Sequence, residues 1–250
     1  MLLARHEALP SSPEAPWGLI CYGDEVTPRQ VLAARHPRKF WAIYASLQEL
    51  GPLTLSNEKA WFTLATTLSS SVNKASAGCS QVFKVILQDL FCEAVDPRAG
   101  GIFLQLSNGA HIRIFIEMRI FLLDADAHRA LWCCKGEGGI KPSLLWANLY
   151  SDRSGIADAA DELVLATDDS VFAAVDRLAA KKRVETDAVF RQREKVVGLN
   201  HEPDGILLAT ELRGVIKPVS QYCNDPQHTL FVAGVFNTIV YVFFETLWLG

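Results

Sequence analysis

A chain of 250 residues, half of them apolar and 21 % charged, has the composition of a globular protein rather than a disordered one. It is long enough for one large domain, or for a domain that carries an insertion. The formal net charge of −4 excludes a broad electrostatic pull toward nucleic acid, so any contact with DNA has to be local. Six cysteines without paired spacing argue against a disulfide framework or a zinc cluster, and MLLARHEALP lacks the apolar stretch of a secretory signal. Together they imply a reducing compartment, nuclear or cytoplasmic, and not secretion.

Pro10, Pro13 and Pro16 make residues 1–16 an irregular lead-in. WGLICYGDEV, 17–26, then reads as a buried strand that closes on Asp24 and Glu25. Residues 39–50 read as a second strand and 60–71 as a third, although the last run is equally compatible with a helix. CSQVFKVILQDLFCEAV, 79–95, predicts an amphipathic helix with Val82, Val85, Ile86, Leu90 and at times Phe83 on its buried face. Asn108–Gly109 predicts the turn of a hairpin, because both residues tolerate positive φ. In its return strand Ile112, Ile114 and Ile116 alternate with His111, Arg113 and Phe115, and the strand runs on to Asp124.

Residues 125–132 can form a short helix, followed by KGEGGIKP, a Gly-rich loop without the Gly-Lys-Ser/Thr ending of a nucleotide-binding loop. From 157 to 195 the chain is expected to be helical, acidic in its first half and basic in its second. The basic run at 181–195 reads as a solvated helix face, with phosphate contact as the alternative. Residues 198–212 read as a turn and a short helix, and Pro218 and Pro226 bracket a loop. The apolar stretch 229–250, with Glu245 as its one charge, is expected to be a core helix whose Phe231, Val235, Ile239, Val242 and Phe243 pack on the sheet. A membrane span is the less favoured alternative, since Asn237, Thr238 and Glu245 would be costly in lipid.

Two acidic pairs, Asp24–Glu25 and Asp124–Asp126, close apolar strands. One explanation is capping: Asp124 or Asp126 suits the start of the 125–132 helix, and Asp225 the start of the terminal helix. The other is a metal site. Strand, two strands, helix, strand and a mainly helical remainder is the element order of an α/β, ribonuclease-H-like mixed sheet. In such a core, carboxylates on neighbouring strand ends can hold two divalent ions about 3.5–4 Å apart. The expected organisation is then a core over 17–134, a mainly helical insertion over 135–220 and a C-terminal core helix over 221–250. His128, one turn after Asp124, reads as a surface histidine or a metal neighbour. The Cys133–Cys134 pair has no evident base partner for nucleophilic chemistry.

On these residues the chain resembles transposases of the CACTA (En/Spm-like) group and related eukaryotic mobile-element proteins. CYGDEV, 21–26, is similar to their first acidic block, and LLDADAHRALWCCKGEGGIKP, 122–142, resembles the second. YCNDPQHTLFVAGVFNTIVYVFFETL, 222–247, resembles their Asp-x-Met-His block, with Asp225, His228 and Asn237 at the matching positions. The resemblance implies DNA strand cleavage and transfer with Mg²⁺ or Mn²⁺ held by Asp24, Asp124 and Asp225. Glu162 or Glu245 would substitute for the third ligand, and no small-molecule cofactor is implied. The departures matter equally. Ser143 and Trp146 stand where the family carries a Cys-x-x-Cys pair, so no zinc is expected there. Pro226 and Gln227 replace the usual residues between Asp225 and His228. With no DNA-binding module before Asp24 and an end soon after the third block, the chain reads as a partial copy of a transposase core. Two further classes therefore stay open: a non-catalytic remnant acting as a protein or nucleic-acid interaction module, and a protein anchored in a membrane through 229–250.

Overall fold

The computed structural model describes residues 11–27, 39–92, 96–106, 108–151 and 162–230. The chain enters through β1 (Trp17–Val26), whose first five residues are all buried, and turns back into β2 (Phe40–Leu47). A single turn, α1 (Pro52–Leu55), leads to β3 (Phe62–Leu68), and a second, α2 (Ser69–Val72), leaves it. β1, β2 and β3 form an antiparallel meander in which Asp24 faces Ala42 across the ladder. The Thr-rich β3 is largely exposed, as suits an edge strand.

A 14-residue helix, α3 (Gly78–Phe91), carries the chain across the sheet. Then β4 (Ile102–Gln105) and β5 (His111–Ile114) make a separate two-stranded ribbon, and β6 (Ile116–Leu123) rejoins the sheet. β6 runs parallel to β1, an arrangement that requires a crossover of this kind. After α4 (Ala125–Leu131) come α5 (Asp168–Lys182) and α6 (Asp187–Val197), before β7 (Tyr222–Asn224) pairs parallel with β6. α7 (Pro226–Leu230) follows directly. The result is a mixed α/β architecture with a five-stranded mixed sheet in the order β3-β2-β1-β6-β7.

The core lies between the sheet and α3. Phe83, Leu87 and Phe91, one helical turn apart, are buried with Cys79 and Ser80, whereas Val85 is 48 % exposed. The buried face is thus rotated from the expected Val82–Val85–Ile86–Leu90 stripe; Val82, Ile86 and Leu90 are only partly buried at its margin. The aromatic side chains win because they remove more apolar area from water. Gly23 makes this packing fit: a Cβ there would lie 2.9 Å from Cζ of Phe83.

Four further expectations need correction. The return strand of the hairpin does not run unbroken to Asp124. At Phe115 the backbone leaves the ribbon: its N–H donates to Ser11 Oγ (2.8 Å) and its carbonyl accepts from Trp17 N–H (2.8 Å). Of the stretch expected to be helical, residues 157–161 lie outside the described residues, and the α-helical part begins only at Asp168 and comes as two helices. α5 opens with a reciprocal Thr167–Ser170 capping box, a break over 183–186 follows, and α6 ends at Gly198 in the left-handed region. Residues 206–212 form single 3₁₀ turns rather than a helix, and the loop between Pro218 and Pro226 contains β7.

All six cysteines are unpaired thiols. Among the described residues no helix is long and apolar enough to cross a membrane. Residues 231–250, which hold most of the expected terminal helix together with Asn237 and Glu245, lie outside the described residues.

Candidate metal centre

β1 and β6 pair in parallel register down to Gly23 opposite Leu123, and β6 and β7 down to Leu123 opposite Asn224. The next residue on each strand is an acid: Asp24, Asp124 and Asp225. The three acids therefore stand in one row at the C-terminal ends of three adjacent parallel strands. Successive positions in such a row are about 4.8 Å apart, so Asp24 and Asp124 are immediate neighbours and Asp225 is one step further. Gly23 and Leu123, directly beneath two of the acids, are buried against α3 and plug the row from below.

The charges of the row act on one another. Burial raises the Asp24 carboxyl above the ordinary carboxylate range, and the negative charges of Asp124 and Asp225 add to it while His228 opposes them. The half-buried Tyr22 phenol, two residues before Asp24, is pushed up to about 12 by burial, then by Asp24, Asp225 and Asp124. His228 is raised above its usual value, first by its hydrogen bond to Asp225 and then by the charges of Asp225, Asp124 and Asp24. Asp24, Asp124, Asp225, Tyr22 and His228 thus share one electrostatic environment.

Their hydrogen bonds differ in a way that ranks them as ligands. Asp24 lies within β1 and caps no helix. Asp124 is the N-cap of α4, its Oδ1 accepting from Ala127 N–H at 2.6 Å, which leaves Oδ2 outside the cap. Asp225 uses both oxygens: Oδ1 accepts from Gln227 N–H at 2.8 Å, and Oδ2 pairs with His228 Nδ1 at 2.8 Å. The carboxylates are aligned without converging; among the described residues no group of three or more His, Cys, Asp or Glu side chains is gathered as a metal cage. Hard oxygen donors are nevertheless the type that suits a divalent cation, and such a charge would oppose both the burial cost and the repulsion felt by Asp24. Asp24 and Asp124 are the pair best placed to hold one.

The remaining candidates have other tasks. The second acid of each pair forms an ion pair: Glu25 with Lys39 at 2.9 Å, and Asp126 with Arg129 one turn along α4. Glu162 lies in the insertion, where its carbonyl accepts from Asn148 Nδ2 at 2.7 Å. Ser143 Oγ accepts from Leu145 N–H, and Trp146 bridges to Leu165. In the 181–195 segment Lys182 pairs with Asp187 and Arg193 with Glu185.

His128 is not a surface residue, and both of its ring nitrogens are engaged within the protein. It is 1 % exposed and stacked on Tyr222 at 3.5 Å. Its Nε2–H donates to the Cys223 carbonyl at 2.9 Å, and Nδ1 accepts from Trp132 Nε1–H at 3.3 Å. That pairing fixes one neutral tautomer, and burial depresses the imidazole to about 4. The i, i+4 spacing puts His128 and Trp132 on one face of a short helix, but only the contacts with Cys223 and Tyr222 make that face the buried one. The electrostatic place of Tyr22 had no motif to announce it.

No protein family matches the chain, and no curated protein or solved structure matches it either.

Proposed function

We propose that the chain carries a ribonuclease-H-like, transposase-like core for cleavage and transfer of DNA strands, located in the nucleus or cytoplasm. Mg²⁺ or Mn²⁺ would be held by Asp24 and Asp124, with Asp225 as the third ligand. The observation that carries this reading is the row of three acids at the ends of β1, β6 and β7. The sheet order β3-β2-β1-β6-β7, with an antiparallel meander joined to parallel strands, supports the same reading.

A bound divalent ion supplies Lewis acidity toward the scissile phosphodiester and lowers the pKa of an attacking water or 3′-hydroxyl. The protein's own part follows from its contacts. Asp24, free of capping duty, is the first ligand. Asp124 can bind through Oδ2 while Oδ1 keeps the first turn of α4 in place. Asp225 can bind only by giving up its bond with His228. Tyr22 keeps its proton and can donate a hydrogen bond toward the same space.

Nicking of supercoiled plasmid DNA in Mn²⁺ tests the proposal. Activity that disappears in Asp24→Asn and in Asp124→Asn supports it; activity unchanged in both variants refutes it. Metal binding without nicking would favour the second reading, a non-catalytic remnant. That reading draws on the full commitment of Asp225 to Gln227 and His228, and on Ser143 and Trp146 at the positions of the family's cysteine pair.

A further inference from the structure

A cavity of about 300 Å³ opens beside α4, between its outer face, the 134–144 loop and Tyr222 of β7. In the chain it adjoins two of the acids: Ala125, on its wall, follows Asp124, and Tyr222 lies on the strand that leads to Asp225. The Tyr222 ring is held rigidly. Its stacking partner His128 lies 11° from parallel, and both nitrogens of that imidazole are hydrogen-bonded, so the tyrosine has a fixed backing.

The charges around the cavity leave an excess of acid. The Arg129 guanidinium is paired with Asp126, and Glu137 adds a second carboxylate to the wall. Such a lining does not attract phosphate, which prefers uncompensated cations. Gly136, at φ +54°, keeps Arg129 in place: a Cβ there would lie 2.6 Å from the Arg129 Cδ. Ser143, Cys134 and the Tyr222 hydroxyl add neutral polar groups. The volume is at the low end for a small-molecule pocket. An aromatic ring backed by a second one, a carboxylate with no cation of its own on the wall, and mixed donors and acceptors suit a flat, polar ring system that can donate hydrogen bonds.

We infer that this cavity takes one unpaired nucleobase of the DNA strand that passes the acids, stacked against Tyr222. The inference rests on the proposed DNA-cleaving function and names the form of substrate: a strand unpaired next to the scissile position. Extruding a base costs least where the duplex is already open, so the pocket favours single-stranded or frayed ends over intact duplex.

The test uses the full chain in EDTA and single-stranded oligonucleotides carrying 2-aminopurine, whose fluorescence is quenched on stacking. Saturable quenching is expected, with at least tenfold weaker binding in Tyr222→Ala and little change in Tyr222→Phe, in line with the contribution of base–aromatic stacking. Ser143→Trp, which fills the cavity and leaves Tyr222 untouched, should weaken binding to the same extent and covers the case in which Tyr222→Ala fails to fold. Absence of quenching, unchanged binding in Ser143→Trp, or equal binding of intact duplex overturns the inference. Asp24→Asn separates the two proposals. Quenching that survives in it while Mn²⁺ binding is lost fits both, Mn²⁺ binding in the wild type without quenching overturns the base pocket alone, and quenching without Mn²⁺ binding in the wild type overturns the metal centre alone.

Discussion

Asp124 carries two roles that a pair of substitutions can separate. Its Oδ1 accepts the Ala127 N–H at 2.6 Å, satisfying one of the backbone donors left open at the start of α4. Asp124→Asn keeps an oxygen at that position and removes the charge; Asp124→Ala removes both. Replacing an N-cap by alanine costs about 0.5–2 kcal/mol. The upper half of that range applies because α4 buries His128 and Leu131 in the core, so fraying of its first turn is felt there. For a chain of this size, 1 kcal/mol corresponds to about 2–4 °C in Tm. Both variants also relieve the repulsion between Asp24 and Asp124, so their difference isolates the cap. Thermal melts followed by circular dichroism should place Asp124→Ala about 2–8 °C below Asp124→Asn. Both variants should lose Mn²⁺ binding. Equal melting temperatures for the two would refute the capping role, and retained metal binding in Asp124→Asn would refute the ligand role.

Asp24→Asn should be more stable than the wild type at pH 7 by up to about 1 kcal/mol, a modest figure because the group is partly solvated. The sign follows from its raised folded-state pKa: the folded protein holds the Asp24 proton more tightly, so stability falls as pH rises from about 4 through that value, and the advantage of the variant vanishes near pH 3. His128 acts in the opposite sense. Depressed to about 4 from an ordinary 6.5, it favours the folded state above pH 6.5, and that contribution, on the order of 3 kcal/mol, is lost as pH falls toward 4. Urea titrations between pH 4 and 7 should show a flatter pH dependence for His128→Gln; a slope equal to that of the wild type would contradict the buried neutral imidazole. Gly23→Ala should destabilise by about 1–3 kcal/mol through contact with Phe83, and Phe83→Leu in the same chain should recover part of it. Additive losses in the double variant would show that the two sites do not touch.

Strand ends at Asp24 and Asp124 could be read from the sequence because each follows a run of buried residues and precedes a polarity change. The α3 face could not be assigned correctly. Apolar residues cover two adjacent faces of that helix, and only the gap at Gly23, on another strand, selects Phe83. β7 escaped notice because three residues with a mixed burial pattern carry no periodic signal. Asp225 was therefore reached through its resemblance to a motif, and its alignment with the other two acids came from pairing between strands about 100 residues apart in sequence. His128 illustrates the same limit: its burial depends on Cys223 and Tyr222, which no local pattern connects to it.

Isothermal titration of the full chain with Mn²⁺ tests the central claim most directly. Saturable binding in the wild type, lost in Asp24→Asn and kept in Glu25→Gln, is the predicted result, since Glu25 pairs with Lys39. No heat of binding at millimolar Mn²⁺, or binding that survives unchanged in Asp24→Asn, would show that the row of acids is not a metal centre.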